Sequence, residues 1–402
     1  MEEFKEKLHK LLHQGRHNFG GNHQAIPTLV DEILNFAVKI RASDIHFEPI
    51  EKFLRVRYRI DGHLHEFHEP IPMELSNVII SRIKILAQMD TTTIFLPLDG
   101  AIRRDGMDMR VAIMPSRGAD SVTIRLLNTS VALQKISDLG FTPSNEKFFR
   151  QEISNTSGMI ILTGPMNSGK STTLYAALRE LNKPSRSIMT LEDPIEQVIE
   201  GISQVSVNEK QGLTFAAGLR AMLRMDCNCL MVGEVRDRET AQIAVRAALT
   251  GHLVFTTLHA AESCSALFRM IEMGVEPYLL ASTLKCVVAQ RLVRQLCPHC
   301  KELKVAEKFE RELIGAEKIF YPVGCEKCNG TGYFGRLALH EILRVGKDMR
   351  DAILHERDLD KIHAVAKGAG LESLKDDGVG KIRAGLTTLE EVRSVLGEEF
   401  FL

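Results

Sequence analysis

The stretch Gly164-Pro165-Met166-Asn167-Ser168-Gly169-Lys170-Ser171-Thr172 decides the reading of this chain. It fits the pattern G-x-x-x-x-G-K-[ST], and its flanks are those the pattern needs. Met159-Ile160-Ile161-Leu162-Thr163 before it is short, apolar and β-prone, and Thr173 to Leu181 after it reads as helix. In a strand–loop–helix setting the glycines turn backbone N–H groups inward around a phosphate, and the helix N-terminus adds a favourable dipole. Lys170 then reaches the β- and γ-phosphates, and the Ser171 hydroxyl is placed to ligate Mg²⁺. A Gly-rich turn between strand and helix can arise without a ligand. The complete pattern with both flanks favours a nucleotide.

Working outward, four short apolar strands are expected at 159–163, 188–191, 229–232 and 253–257, separated by helical stretches such as 218–224 and 238–249. Strands alternating with helices imply an α/β fold with a parallel sheet covered on both faces. Ligands on such sheets collect at the carboxyl ends of the strands. After the first strand comes the phosphate loop, and the others lead into Glu192-Asp193-Pro194-Ile195-Glu196, Gly233-Glu234-Val235-Arg236-Asp237 and Thr256-Thr257-Leu258-His259. Hydrolysis of a phosphoanhydride needs a held metal, a group acting on water and a sensor of the γ-phosphate. Glu192, Asp193, Glu234 and His259 are the candidates, with His252 in support. Each has a plainer reading alone: Glu192-Asp193-Pro194 as a turn with a helix cap, Glu234 as a solvated carboxylate, the histidines as packing. Their succession after the strands of a phosphate-loop domain weakens those readings together.

Residues 1–24 are polar and His-rich and are expected to form a lead-in containing a short helix. Residues 25–130 read as a small α+β domain. It has helical spacing at 29–38 and 72–89, alternating strands at 54–60, 108–113 and 120–127, and a hairpin turn at Asp61-Gly62. A linker is expected over 131–140, then the phosphate-loop domain over 141–402, with an insert at 295–335 and a mostly helical region at 336–402. The net charge of −1, absence of Trp and only five Tyr argue against a nucleic-acid partner. The charged N-terminus has no secretory signal pattern, and no apolar run of spanning length is present. Four of the eight cysteines form two C-x-x-C pairs, Cys297/Cys300 and Cys325/Cys328, with 24 residues between them. That spacing suits a tetrahedral Zn²⁺ on four thiolates, closed to substrate, with His299 as a substitute ligand. A thioredoxin-like redox pair is the alternative for one C-x-x-C, and two pairs in one loop-rich insert argue against it.

These motifs together resemble the secretion and pilus-assembly ATPases of the type II secretion/type IV pilus superfamily, from about residue 25 to the end. Ala42-Ser43-Asp44-Ile45-His46 and Val56-Arg57-Tyr58-Arg59-Ile60-Asp61-Gly62 match its N-terminal module, 190–196 its acidic box, 250–259 its histidine box. Leu230-Met231-Val232-Gly233-Glu234-Val235-Arg236-Asp237 matches its atypical Walker B, in which Gly replaces the usual Asp. The resemblance implies a RecA-like ATPase domain, a PAS-like N-terminal domain, and a hexameric motor at the cytoplasmic face of the membrane. Its implied partners are an integral platform protein and cytoplasmic assembly proteins. ATP, Mg²⁺ and Zn²⁺ are the implied substrate and metals. Arg110 and Arg125 match the arginines that complete the nucleotide site across a domain or subunit boundary, and the tetracysteine insert is of the assembly type and absent from retraction motors. The implied function is ATP-driven assembly of a type IV pilus or secretion pseudopilus. A nucleic-acid-translocating ring and a nucleotide-gated scaffold with little hydrolysis are the alternatives. The sequence departs from the family at Asp226-Cys227-Asn228, where Asp-Pro-Asp is usual. It departs again at Met166-Asn167, where Thr-Gly is common, and at 91–100, which lacks a usual basic residue and Gln.

Overall fold

Apolar strands set the architecture. The computed structural model describes residues 2–17, 25–92, 95–104, 107–127 and 135–397. Residues 18–24 of the expected lead-in and 131–134 of the expected linker lie outside them. Two compact units are present, Met1–Ala132 with Cys325–Thr331, and Leu133–Gly324 with Gly332–Leu402.

In the first unit, helices α1 (Glu2–His17), α2 (Ala25–Lys39) and α3 (Ser76–Leu86) accompany an antiparallel sheet. Its strands are β1 (Asp44–Ile50), β2 (Phe53–Ile60), β3 (His63–His65), β4 (Ile71–Pro72), β5 (Leu98–Arg104), β6 (Met107–Met114) and β7 (Ser121–Leu127). The order is β3-β2-β1-β7-β6-β5, with β4 also on β2. Alternation decides the faces. Leu54, Val56, Tyr58 and Ile60 of β2 are buried with Val111, Ile113, Val122 and Ile124 and with Leu29, Ile33 and Leu34 of α2, while the intervening arginines face outward. Asp61 and Gly62 both take positive φ, 48° and 94°, the paired left-handed geometry of a two-residue hairpin turn. The helix expected within the first 24 residues is α1, and it packs on this core: Leu8 is buried and Phe4 stacks on Phe36. Phe4, Leu8, Leu11 and Leu12 form a helical stripe that the charged residues and His9 between them obscure.

The second unit carries a seven-stranded sheet, β10-β9-β11-β12-β8-β13-β16. Its strands are β8 (Gly158–Thr163), β9 (Ile188–Glu192), β10 (Ser203–Ser206), β11 (Cys229–Val232), β12 (Leu253–Leu258), β13 (Leu284–Leu296) and β16 (Tyr333–Arg344). The hairpin β14 (Glu302–Val305) and β15 (Lys318–Tyr321) forms a separate small sheet. All pairings in the main sheet are parallel except β13 with β16. Met159 and Ile161 enter one apolar layer with α6 (Phe215–Met222), α7 (Arg238–Leu249) and α8 (Ser263–Glu272). Ile160 and Leu162 enter the other with α4 (Pro143–Ile153) and α5 (Lys170–Leu181). The four expected strands are present. The long antiparallel pair β13–β16 was not expected, and β16 corrects the reading of 336–402 as helical from its start. Its buried run Ala338 to Leu343 includes His340 and Glu341, polar residues that break the apolar signal. The helices follow, α9 (Pro277–Thr283) and α10 (Lys308–Ile314) lying earlier in the chain, and α11 (Lys347–His355), α12 (Leu359–Gly368), α13 (Leu374–Arg383) and α14 (Leu389–Leu396) after it. No helix among the described residues is long and apolar enough to cross a membrane.

Candidate nucleotide-hydrolysis site and tetracysteine cluster

Strand register brings the site together. Thr163 pairs with Leu258, Thr256 with Val232, and Val232 with Leu191, all in parallel ladders. The carboxyl ends of β8, β12, β11 and β9 therefore share one edge, and the loops carrying the phosphate-binding pattern, His259, Glu234 and Glu192 leave from it.

The phosphate loop is shaped by backbone that side chains would obstruct. Gly164 and Gly169 have φ of 148° and 87°. A Cβ on Gly164 would stand 2.5 Å from the Gln290 carbonyl oxygen, and one on Gly169 2.7 Å from Gln290 Nε2. Lys170 Nζ donates to the carbonyl oxygens of Gly164 and Pro165 at 2.9 and 2.8 Å. Burial, then the neighbouring Arg291 guanidinium, pull its pKa below the usual lysine value, against Glu234 and Glu196. Ser168 Oγ is buried with no hydrogen-bond partner. A cradle of this kind, with a cation and an unsatisfied hydroxyl, fits a phosphate group. Ser171, half-buried on the first turn of α5, has the donor type a Mg²⁺ on those phosphates would take. Asn167 has φ +61°. Its departure from the family's usual Gly keeps a residue type that tolerates the left-handed region. Met166 beside it is exposed.

The two carboxylates differ in environment. Glu192 is 4% exposed, and both its oxygens are engaged: Tyr175 Oη–H donates to Oε2, while Thr190 Oγ1 and Gln204 Nε2 donate to Oε1 at 2.5 and 3.0 Å. The Tyr175 phenol is held well above its ordinary pKa, first by burial and then by this carboxylate. Glu234 instead lies beside an arginine and a histidine. Arg236 pairs with its Oε1 and His259 Nε2 lies 3.7 Å from its Oε2. His259 is half exposed. Asp193 is exposed, and its charge reaches Arg236. The helix cap weighed for Glu192-Asp193-Pro194 does not form, since no helix follows. Gly233 has a packing reason: a Cβ there would lie 3.1 Å from the Leu191 carbonyl oxygen and 3.4 Å from Glu192 Cα. Asp237 caps α7 through the Thr240 amide at 2.8 Å.

His252 is not brought to this edge. It precedes β12, its carbonyl accepts the Gly158 N–H at the start of β8, and its Nδ1 lies 3.1 Å from the Ala247 carbonyl oxygen. Six strand residues at about 3.3 Å each put it roughly 20 Å from His259. The structure does not bring it beside His259, so support from His252 would have to act along β12. Arg110 and Arg125 belong to the first unit, where they face each other across the β6–β7 ladder. Arg125 Nε donates to Asp44 at 3.0 Å. Sequence reasoning missed Tyr175, Gln204 and Arg291, which lie outside every motif. It passed over Arg236 although the Walker B match contains it.

The four Sγ atoms of Cys297, Cys300, Cys325 and Cys328 lie within 4.8 Å of one another, and none of the eight cysteines forms a disulfide. The amide N–H groups of Gly324 and Cys325 donate to the sulfurs of Cys300 and Cys328 at 3.3 and 3.1 Å. Such bonds stabilise thiolate, so the donor set fits a soft divalent metal. Cys229 and Cys264 are of another kind: burial pushes both thiols up to about 12.

Residues 21–394 match the family described as type II/IV secretion system protein. The type II secretion system ATPase E of Vibrio cholerae is 45% identical over 379 residues, covering 92% of this chain and 75% of that protein. The type IV pilus assembly ATPase PilB of Myxococcus xanthus is 42% identical over 379 residues, covering 90% of this chain and 66% of that protein. Among solved structures, the Legionella pneumophila ATPase DotB superposes with a TM-score of 0.68 over 92% of this chain and 95% of that one, at 24% identity. The pilus retraction motor PilT with bound ADP gives 0.62 over 90% and 95%, also at 24% identity. Likeness at that identity concerns the fold. The sequence relatives carry more, and by them the chain belongs to the type II/IV secretion system protein family, a family of secretion and pilus-assembly ATPases.

Proposed function

We propose that the chain is a motor that hydrolyses ATP to ADP and phosphate and drives assembly of a type IV pilus or a type II secretion pseudopilus. The observation that carries this is the single sheet edge on which the phosphate loop, Glu234 and His259 meet. In this reading the loop amides and Lys170 bind the phosphates. Mg²⁺, held by Ser171 with acidic-box carboxylates through water, would supply charge neutralisation on the phosphate oxygens. Glu234 polarises the attacking water, because one of its oxygens faces His259 while Glu192 is committed to three donors within the protein. Glu192 shapes the loop that carries Asp193. His259 senses the γ-phosphate from the end of β12.

Arg110 and Arg125 would add positive charge to the nucleotide as a RecA-like domain and a PAS-like N-terminal domain close. Differences in nucleotide affinity between open and closed states would be turned into motion. A homohexamer at the cytoplasmic face of the membrane, engaging an integral platform protein and cytoplasmic assembly proteins, is the setting in which that motion becomes filament assembly. Cys297, Cys300, Cys325 and Cys328 would hold a Zn²⁺, which with four protein thiolates would be structural and not catalytic. The test is Mg²⁺-dependent ATP hydrolysis by the purified chain, lost in Lys170→Ala. Hydrolysis that survives this substitution would overturn the assignment of the site.

A further inference from the structure

The side chain of Arg291 lies behind the phosphate loop, where no motif points. Strand register puts it there: β13 runs parallel to β8 with Ala289 opposite Thr163, so Arg291 stands beside the first residues of the loop. Its Nη1 donates to the Gln290 carbonyl at 3.0 Å and its Nη2 to the Ala261 carbonyl at 2.7 Å. A Cβ placed on Gly164 would meet Nη1 at 3.2 Å. One guanidinium therefore ties β13, beside Gly164 of the phosphate loop, to the loop that follows β12.

That second loop is held at successive points. Thr163 Oγ1 accepts the Ala260 N–H at 3.0 Å, Arg291 takes the Ala261 carbonyl, and Glu341 Oε1 accepts the Ser263 N–H at 2.9 Å. Glu262 Oε2 lies 3.0 Å from His363 Nε2. His259 extends from this clamped segment toward Glu234. A neutral side chain at 291 would spare Lys170 the repulsion that, after burial, lowers its pKa. What a guanidinium supplies, and lysine or glutamine cannot, is a fork of donors fixed in one plane and reaching two carbonyls at once.

We infer that Arg291 is a positioning residue that fixes the His259 loop against the phosphate loop. The inference rests on reading this sheet edge as the hydrolysis site. Arg291 acts through His259 and contributes no direct nucleotide contact. Small displacements of a group at the reacting centre cost up to about 10²-fold in rate.

The experiment is steady-state ATPase kinetics on the full chain with Arg291→Lys, Arg291→Gln, His259→Ala and the two double variants. Enough protein is used that residual turnover stays readable. The expected result for Arg291→Lys is a kcat lower by about tenfold or more with KM for ATP changed by less than about threefold. In the His259→Ala background the same substitution should cost under about twofold, the non-additivity of coupled residues. A raised KM at unchanged kcat would show direct nucleotide binding and overturn the inference, as would losses that multiply independently of His259. If Arg291→Gln does not fold, Arg291→Lys decides by the same cycle. Lys170→Ala separates the two levels. If it still hydrolyses ATP, the site reading fails; if it is inactive while the cycle is additive, only the role of Arg291 fails.

Discussion

Asp44 Oδ1 accepts the Nε–H of Arg125 at 3.0 Å, across the β1–β7 ladder in which the two residues face each other. The carboxylate is nearly buried and the guanidinium is 60% exposed. The Nε of the fork is thus anchored while most of the side chain stays exposed. Arg110 stands opposite Arg125 on the next strand. If Arg125 is a transition-state arginine, Arg125→Ala should lower turnover by at least about 10³-fold. Asp44→Asn, which keeps the shape and removes the charge, should lower it by roughly tenfold and add nothing to Arg125→Ala. Rings mixed from Lys170→Ala and Arg125→Ala subunits should regain activity. No regain despite demonstrated subunit exchange would count against an arginine acting between subunits.

Glu234 and Glu192 separate by experiment as they separate by environment. Glu234→Gln should reduce kcat by about 10²–10⁴-fold, the range for loss of a general base, while ATP binding persists. Glu192→Gln places an amide where three donors converge on a carboxylate. Its first effect should be on the melting temperature, through a loss of about 1–3 kcal/mol. Unchanged turnover in Glu234→Gln would sink its assignment.

The cysteine cluster predicts one metal per chain by elemental analysis. Chelation at neutral pH, or Cys300→Ser with Cys325→Ser, should release it and lower the melting temperature, since ligand binding energy in such sites is folding energy. Full activity and stability in the metal-free protein would remove the structural role.

His340 gives a pH dependence with a definite sign. It is fully buried on β16, stacks on Phe141, and neither ring nitrogen has a hydrogen-bond partner. Burial, then the nearby Lys381 ammonium, hold its pKa well below the ordinary 6.5. The unfolded chain takes up a proton near 6.5 that the folded chain refuses. This group's contribution to stability is therefore complete above that value and declines as pH falls below it, by about 1.4 kcal/mol per pH unit. Denaturant unfolding at pH 7.5 and 5.5 should show a smaller pH difference in His340→Phe than in the parent. An identical difference in both proteins would exclude His340 as the source.

The sequence made the site legible where function and periodicity coincide. β8, β9, β11 and β12 are short, buried on both faces and each followed by a polar motif, so strand ends and candidate residues announced each other. β13 and β16 were hidden because Gln290, His340 and Glu341 are polar yet buried: Gln290 and Glu341 bond to Thr173 and Ser263, and His340 stacks on Phe141, contacts that no local pattern records. Arg291 was hidden for a related reason: the carbonyl it reaches at Ala261 is distant in sequence. His252 and His259 lie at opposite ends of β12, a separation that their nearness in the sequence does not convey, because an extended strand separates its ends more than other local structure does. The packing of α1 was harder to read because its apolar stripe is sparse among charged residues.

Asn167 closes the question of how far the phosphate loop departs from its pattern. At φ +61° it occupies a conformation that costs most non-glycine residues roughly 1–2 kcal/mol, and asparagine is among the types that reach it most readily. Asn167→Gly should therefore leave ATP affinity and turnover within about threefold of the parent, with Met166→Thr adding little because Met166 is 80% exposed. Asn167→Val introduces a β-branched side chain at positive φ. Its strain either distorts the loop or is released by reshaping it, and ATP affinity should fall by about 10-fold, the equivalent of 1.4 kcal/mol. Titration with a fluorescent ATP analogue, alongside kcat, measures both. A Met166→Thr/Asn167→Gly double variant whose turnover moved by about 100-fold, nearly 3 kcal/mol of barrier, would show that these two side chains act in the chemistry and not only in the backbone that surrounds it.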